Sequence, residues 1–270
     1  MSLRLLTETL AGTKAAGRAA LVSYLPAGFP TVDGGIAALR ATLDAGADIV
    51  EVGLPHSDPV LDGPVIQTAD DRALRGGVRI ADVLRTVRDV HAATGKPVLV
   101  MSYWNPVSRY GAERFARELA DAGGSGCVLP DLPVAESAPW RRHAEEHDLA
   151  TVFVVAPSST DRQLADTAAA GTGFVYASAL MGVTGKRTSV DEAAAVLTRR
   201  LRAVTELPVC VGMGVADGEQ AAEVAGFADG VIVGSALVET LLATDDEAMG
   251  RAGLERLTTQ LAAGVRTRTA

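Results

Sequence analysis

Glu51 and Asp62 are the residues whose types and setting most invite chemistry. Glu51 is the one acid in the apolar run "IVEVG" (49–53), and Asp62 lies in "LPHSDPVLDGP" (54–64), stiffened by Pro55, Pro59 and Pro64. The prolines lower the entropy of the free loop, a preorganisation from which a binding loop gains. Strand alternation puts Ile49 and Glu51 on one face, Val50 and Val52 on the other. On the inner face of a closed sheet, desolvation raises a carboxylate's proton affinity, which suits general acid/base work near neutrality. The plainer alternatives are an exposed glutamate at a fraying strand end and, for Asp62, a turn residue before Gly63 and Pro64. Asp58, in "SDP", reads as an Asx-type turn.

Glycines form a second group. "MGVTGKR" (181–187), "GMG" (212–214) and "GSAL" (234–237) each follow an apolar run. Glycine lets a backbone approach a ligand closely, and free N–H groups at a helix N-terminus favour an anion. "SALVETLL" (235–242) fits a short helix that starts with Ser235, whose hydroxyl can donate to a phosphate. Any one glycine could merely end a strand; three such signals at strand ends point to a monoester phosphate on the substrate.

Other chemistries fit less well. The three lysines are Lys14 in the first helix, Lys96 just before a strand and Lys186 in a glycine-bounded loop. None is placed where a Schiff base would be desolvated inside a barrel. Of the four histidines only His56 is near a strand end, and it reads as a loop packing residue, so no metal site is expected.

The elements that would position these residues recur along the chain. Strands are expected at 20–25, 48–53, 97–102, 126–131, 151–156, 173–178, 208–213 and 230–235, with amphipathic helices between them. "IADVLRTVRDVHAATG" shows the helical stripe well, with Ile80, Val83, Leu84, Val87 and His91 in line. Helix caps are expected at Thr31, Ser159–Asp161 and Thr244–Asp245, and "SVDE" (189–192) is a capping box. Strand then helix, eight times and without a linker, gives an α/β chain: a single-domain (β/α)8 TIM barrel over 1–270 with an extra N-terminal helix. Active sites of this fold sit at the C-terminal ends of the strands, where the residues above fall.

Composition agrees. Hydrophobic residues make up 48 % and aromatics 4 %, so the core is expected to be Val, Ile, Leu and Ala. A net charge of −8 argues against a nucleic-acid partner. Cys127 and Cys210 sit in apolar runs without metal spacing, as reduced core residues of a cytoplasmic protein would. No apolar stretch long enough to span a membrane is seen.

"EVGLPHSDPVLDGPVIQ" (51–67), "GVTG" (182–185), "GMG" and "GSA", in that order, resemble the tryptophan synthase α subunit family, of actinobacterial type. Further likeness runs from "LPAGFP" (25–30) through "SYWNPVSRYG" (102–111) and "PDLPVAES" (130–137) to "GSALV". The resemblance implies retro-aldol cleavage of indole-3-glycerol phosphate to indole and glyceraldehyde 3-phosphate. It implies Glu51 as the general acid/base, Asp62 as the anion accepting the indole N–H, and Tyr176 close to the substrate. Gly185, Gly212, Gly214, Gly234 and Ser235 would hold the phosphate. Tyr24, Tyr103, Val128, Thr184 and Ile232 would line the indole and glycerol side. It implies an α2β2 heterotetramer, with pyridoxal phosphate only in the β subunit and an interface around Pro59, Asn105 and Pro133. A free-standing indole-releasing lyase and a catalytically dead binding barrel are the alternatives. The chain departs from the family pattern at Leu180, where many members have arginine, at Met213, where phenylalanine is common, and at Leu61, which replaces a smaller residue.

Overall fold

The computed structural model describes residues 2–178, 188–212 and 214–267. The expected sheet is present as β1 (Ala20–Pro26), β2 (Ile49–Gly53), β3 (Val98–Met101), β4 (Gly126–Val128), β5, β6 (Val175–Ser178), β7 (Val209–Gly212) and β8 (Gly230–Val233). The fifth strand comes in two pieces, Ala150–Val152 and Val154–Val155, separated by Phe153. Its first piece pairs with β4 through Cys127 and Thr151, its second with β6 through Val154 and Tyr176. Every pairing is parallel, so the ring closes through that broken strand.

Period-two alternation divides the core into two shells. Val22, Ile49, Leu99, Val128, Val152, Cys210 and Ile232 fill the barrel interior. Val50, Val52, Val98, Val100, Val209 and Val211 face outward and pack with the helices. Ile49 inside and Val50 and Val52 outside fix the direction of Glu51: inward. The extra helix, α1 (Ser2–Ala15), sends Leu6 and Leu10 into the interior cluster, so it stoppers the barrel from below. Cys127 and Cys210 are both buried and free.

Each β-strand leads to helix. After β1 comes α2 (Val32–Asp44), and β2 is followed by α3 (Pro64–Arg75) and α4 (Ile80–Thr94). Thr31 caps α2, as expected, by accepting from the Gly34 amide. Within the expected Ser159–Asp161 stretch the cap is Thr160, in a reciprocal pair with Gln163. At Thr244–Asp245 the expectation fails by one residue. Asp246 caps the last long helix, its carboxylate accepting from the Ala248 and Met249 amides, while Thr244 accepts from the amide of Asp246. Three candidate caps in a row cannot be separated by residue type; reach to the free amides decides. The side chains of the expected box at 189–191 lie outside the described residues. The short helix expected at 235–242 is α5 here (Ser235–Leu242). No described helix is long and apolar enough to cross a membrane.

Candidate active site

Glu51 is fully buried, in register with Tyr24 of β1 and Leu99 of β3. Both carboxylate oxygens lack a hydrogen-bond partner among the described residues. Burial alone pushes its carboxyl up to about 8. Such a group keeps its proton at neutral pH and has no acceptor for it among the described residues. It faces inward as expected, yet it sits within the barrel wall instead of forming part of the open cavity surface above.

That cavity, of about 520 Å³, opens at the C-terminal ends of the strands. Tyr24, Asp62, Tyr176, Gly212, Gly214, Ile232, Gly234 and Ser235 line it together. Eight of the thirteen expected site residues therefore converge on one hollow, and Glu51 lies beneath it. A second concavity of about 510 Å³, outside the barrel beside α4, has no carboxylate in its lining and cannot do acid/base work.

Two tyrosines lean over glycines at the strand tops. A Cβ on Gly53 would strike the hydroxyl of Tyr24, and one on Gly212 would strike that of Tyr176. Gly212, expected only as a phosphate residue, thus also makes room for Tyr176. Burial holds both tyrosine hydroxyls well above the ordinary range, and the Glu51 charge adds to each.

The loop after β2 is held by Tyr103. Its hydroxyl accepts from the Val60 and Leu61 amides at 3.1 and 2.9 Å and donates to Asp62 Oδ2 at 2.9 Å. Gln67 Nε2 donates to the Asp62 carbonyl at 2.7 Å, and Pro64 begins α3 directly after the loop. The ring of His56 packs against Tyr103 at 5.0 Å between centroids, which is the packing role expected of it. Burial pushes the Asp62 carboxyl up, whereas the Tyr103 hydroxyl and the His56 charge favour its ionised form. Asp62 is thus a fixed acceptor, not a turn residue. Asp58 accepts from the Ser57 hydroxyl at 2.6 Å, a side-chain contact in place of the expected backbone turn.

Two other expected residues stand apart from this lining. Tyr103 clamps the loop and is not part of the cavity lining; Val128 is fully buried in the interior cluster and does not line the cavity either. Tyr103 meets the cavity through its bond to Asp62. Thr184 and Gly185, together with Leu180, Lys186 and Met213, lie outside the described residues. Leu61 leaves the loop in place, its amide on Tyr103 and its side chain half exposed.

The opposite wall suits an anion. Gly234 is the N-cap of α5, so no side chain competes for the first-turn amides, and Ser235 follows directly. Gly214 has φ of +49°, which glycine adopts without strain. Neither described lysine reaches this place. Lys14 is exposed, and Lys96 donates to the Leu43 and Ala47 carbonyls away from the cavity.

One residue went unread in the sequence. Asp70 is 3 % exposed on the buried face of α3 with Ile66, Ala69 and Ala73. An acid on an apolar helical stripe was the signal that could have found it.

The arrangement combines a buried acid, a fixed carboxylate and an open helix N-terminus, a set suited to protonating the carbon skeleton of a phosphate ester. Residues 10–266 match the family described as tryptophan synthase alpha chain. The chain is 71 % identical over 263 residues to the tryptophan synthase alpha chain of Streptomyces avermitilis, covering 97 % of this chain and 95 % of that protein. Against that of Streptomyces coelicolor identity is 68 %, covering 98 % of each. A crystal structure of tryptophan synthase from M. tuberculosis superposes with a TM-score of 0.89 at 47 % identity, covering 97 % of this chain and 98 % of that one. Tryptophan synthase subunit alpha from Legionella pneumophila gives 0.88 at 31 % identity, again covering 97 % and 98 %.

Proposed function

The chain belongs to the tryptophan synthase alpha chain family, and from that premise we propose how its own residues carry out the reaction. It is a lyase of tryptophan biosynthesis that cleaves indole-3-glycerol phosphate to indole and glyceraldehyde 3-phosphate, and it works with a β subunit. We read 1–270 as one domain of a cytoplasmic enzyme. We assign pyridoxal phosphate to the β subunit on the strength of the family membership.

Breaking the bond between indole C3 and the glycerol side chain would directly leave a carbanion. Glu51, as the acid, delivers a proton to C3 first. Positive charge then arrives on the ring nitrogen, where the Asp62 carboxylate accepts the N–H and stabilises it. Glu51, now ionised, takes the proton of the side-chain hydroxyl. The oxygen's electrons form the aldehyde C=O, and the C–C bonding pair returns to the ring and neutralises the nitrogen. Tyr176 and Tyr24 shape the floor between Glu51 and the ring. Gly212, Gly214, Gly234 and Ser235 receive the phosphate with the first turn of α5; Gly185, expected at the phosphate, and Thr184, expected on the glycerol side, lie outside the described residues. The observation that carries this reading is Glu51, an inward carboxyl with both oxygens buried and unpartnered among the described residues.

At the rim, Val60 is 78 % and Leu61 49 % exposed beside Pro59. Apolar side chains this open on a clamped loop support docking of the β subunit there, together with the rim around Asn105 and Pro133. The test is indole release from indole-3-glycerol phosphate by the purified chain, with and without the β subunit. Slow release alone and faster release with the subunit is the expected pattern. Equal rates would make the protein a free-standing lyase, and binding without cleavage in both would make it a dead barrel. Ser235→Glu sets a negative charge where the phosphate belongs and is expected to raise KM about tenfold or more with kcat little changed. An unchanged KM would move the phosphate site elsewhere.

A further inference from the structure

Asp70 is a second buried carboxylate near the cavity, and the mechanism above leaves it without a task. Its Oδ2 accepts from the His56 amide at 3.4 Å, a long bond, and its Oδ1 is buried with no partner among the described residues. No described ion pair includes it. A carboxylate enclosed this way is costly unless it is neutralised or used. Were its role only to tie α3 to the β2 loop, an asparagine would accept the same amide without the charge.

Its surroundings give the charge a purpose. We propose that Asp70 is a positioning residue for the cleavage: a second carboxylate behind Asp62 that anchors the β2 loop through His56 and adds negative charge at the ring-nitrogen end of the cavity. This rests on the role assigned to Asp62. Asp62 and the His56 amide reach Asp70 from the β2 loop. Tyr24 of β1 lines the cavity, and Asp70 is the ionisable group acting on it most strongly, ahead of Asp62 and Glu51. Helix α5 also packs on α3 but brings only Glu239, which is not among the groups acting on Asp70. On α3 itself, Asp71, Arg72 and Arg75 are on the exposed side.

Burial, and then the charge of Asp62, push the Asp70 carboxyl up to about 7. The ionised form is the useful one, so its contribution is present above pH 7 and lost as pH falls through that value. Asp70 thus adds its negative charge beside Asp62 above pH 7 and gives it up below that value. Positive charge developing on the ring nitrogen meets the stronger field only when Asp70 is ionised.

The test is Asp70→Asn in the complex with the β subunit, with kcat for indole release measured from pH 5.5 to 8.5. Ionisation of the substrate phosphate affects both proteins and cancels in their ratio. The parent-to-variant ratio is expected to be near one at pH 5.5 and to rise to about tenfold at pH 8.5. A ratio that is flat across the range, at any height, overturns the proposal, because a purely structural contact has no reason to track pH. Asp70→Ser, which also removes the charge, is expected to repeat the rising ratio if the asparagine variant folds poorly. Asp62→Asn run in parallel separates the two readings. A near-parental rate there removes Asp62 from the mechanism, whereas a slow Asp62→Asn beside a flat Asp70 ratio removes Asp70 alone.

Discussion

Glu51→Gln is expected to lower kcat for indole release about a thousandfold or more, with KM little changed, and at the same time to stabilise the protein at high pH. Each proton transfer by a placed side chain contributes on the order of 10²–10⁴, and Glu51 makes two, so both are lost with the one carboxyl. The amide keeps the shape, and the phosphate end holds the substrate as before. The stability half follows from linkage. The folded value is raised to about 8 from 4.5, so Glu51 favours the folded state fully below pH 4.5, and this is lost as pH rises through 8. At pH 7 the unfolded chain has released a proton that the folded one retains, a penalty of about 3 kcal/mol. Glutamine carries no such penalty. Its unpartnered amide costs about 1–3 kcal/mol at every pH. Melting temperatures of parent and variant should therefore diverge in the variant's favour between pH 5 and pH 9. Turnover within a few fold of the parent would end the acid/base role, and a melting difference independent of pH would show that Glu51 titrates like an exposed glutamate.

Asp62→Asn is expected to lower kcat by about 10²–10³, the scale on which a single fixed polar group aimed at developing charge acts in a water-poor site. The substitution spares the loop. Tyr103 can still donate to the amide oxygen, its two bonds from the Val60 and Leu61 amides are untouched, and the Gln67 bond goes to the backbone. What disappears is the charge. KM should change little, because the neutral ground-state indole gains little from a full negative charge. Rates near those of the parent would return Asp62 to being a turn residue. A large rise in KM with kcat preserved would make it a binding group and not a partner of the ring cation.

Much of this was legible along the chain. Period-two alternation put Val50 and Val52 outside and Glu51 inside, and the barrel's closure left that residue no other place to point. The glycines at 212, 214 and 234 were legible as a group because they gather at strand ends. Residues whose meaning depends on distant partners were harder to read. Nothing near Tyr103 announces that its hydroxyl gathers a loop lying 41 to 43 residues earlier. Val128 matched a pocket position by resemblance, and its full burial in the interior cluster shows only once the strands are packed. Asp70 followed the helical stripe of Ile66, Ala69 and Ala73, but an acid in "TADDR" looks like surface until the helix is packed. The break at Phe153 has no signal in "ATVFVVA", since it arises where one strand must turn to serve two neighbours.

Helix α1 has a last consequence. With Leu6 and Leu10 filling the lower end, the described residues leave the upper mouth as the door, and substrate, indole and the phosphorylated aldehyde use it in turn. A chain deprived of that helix would bare Val22, Ile49 and their neighbours from beneath and lose their apolar burial, a loss of stability that alters no residue at the mouth.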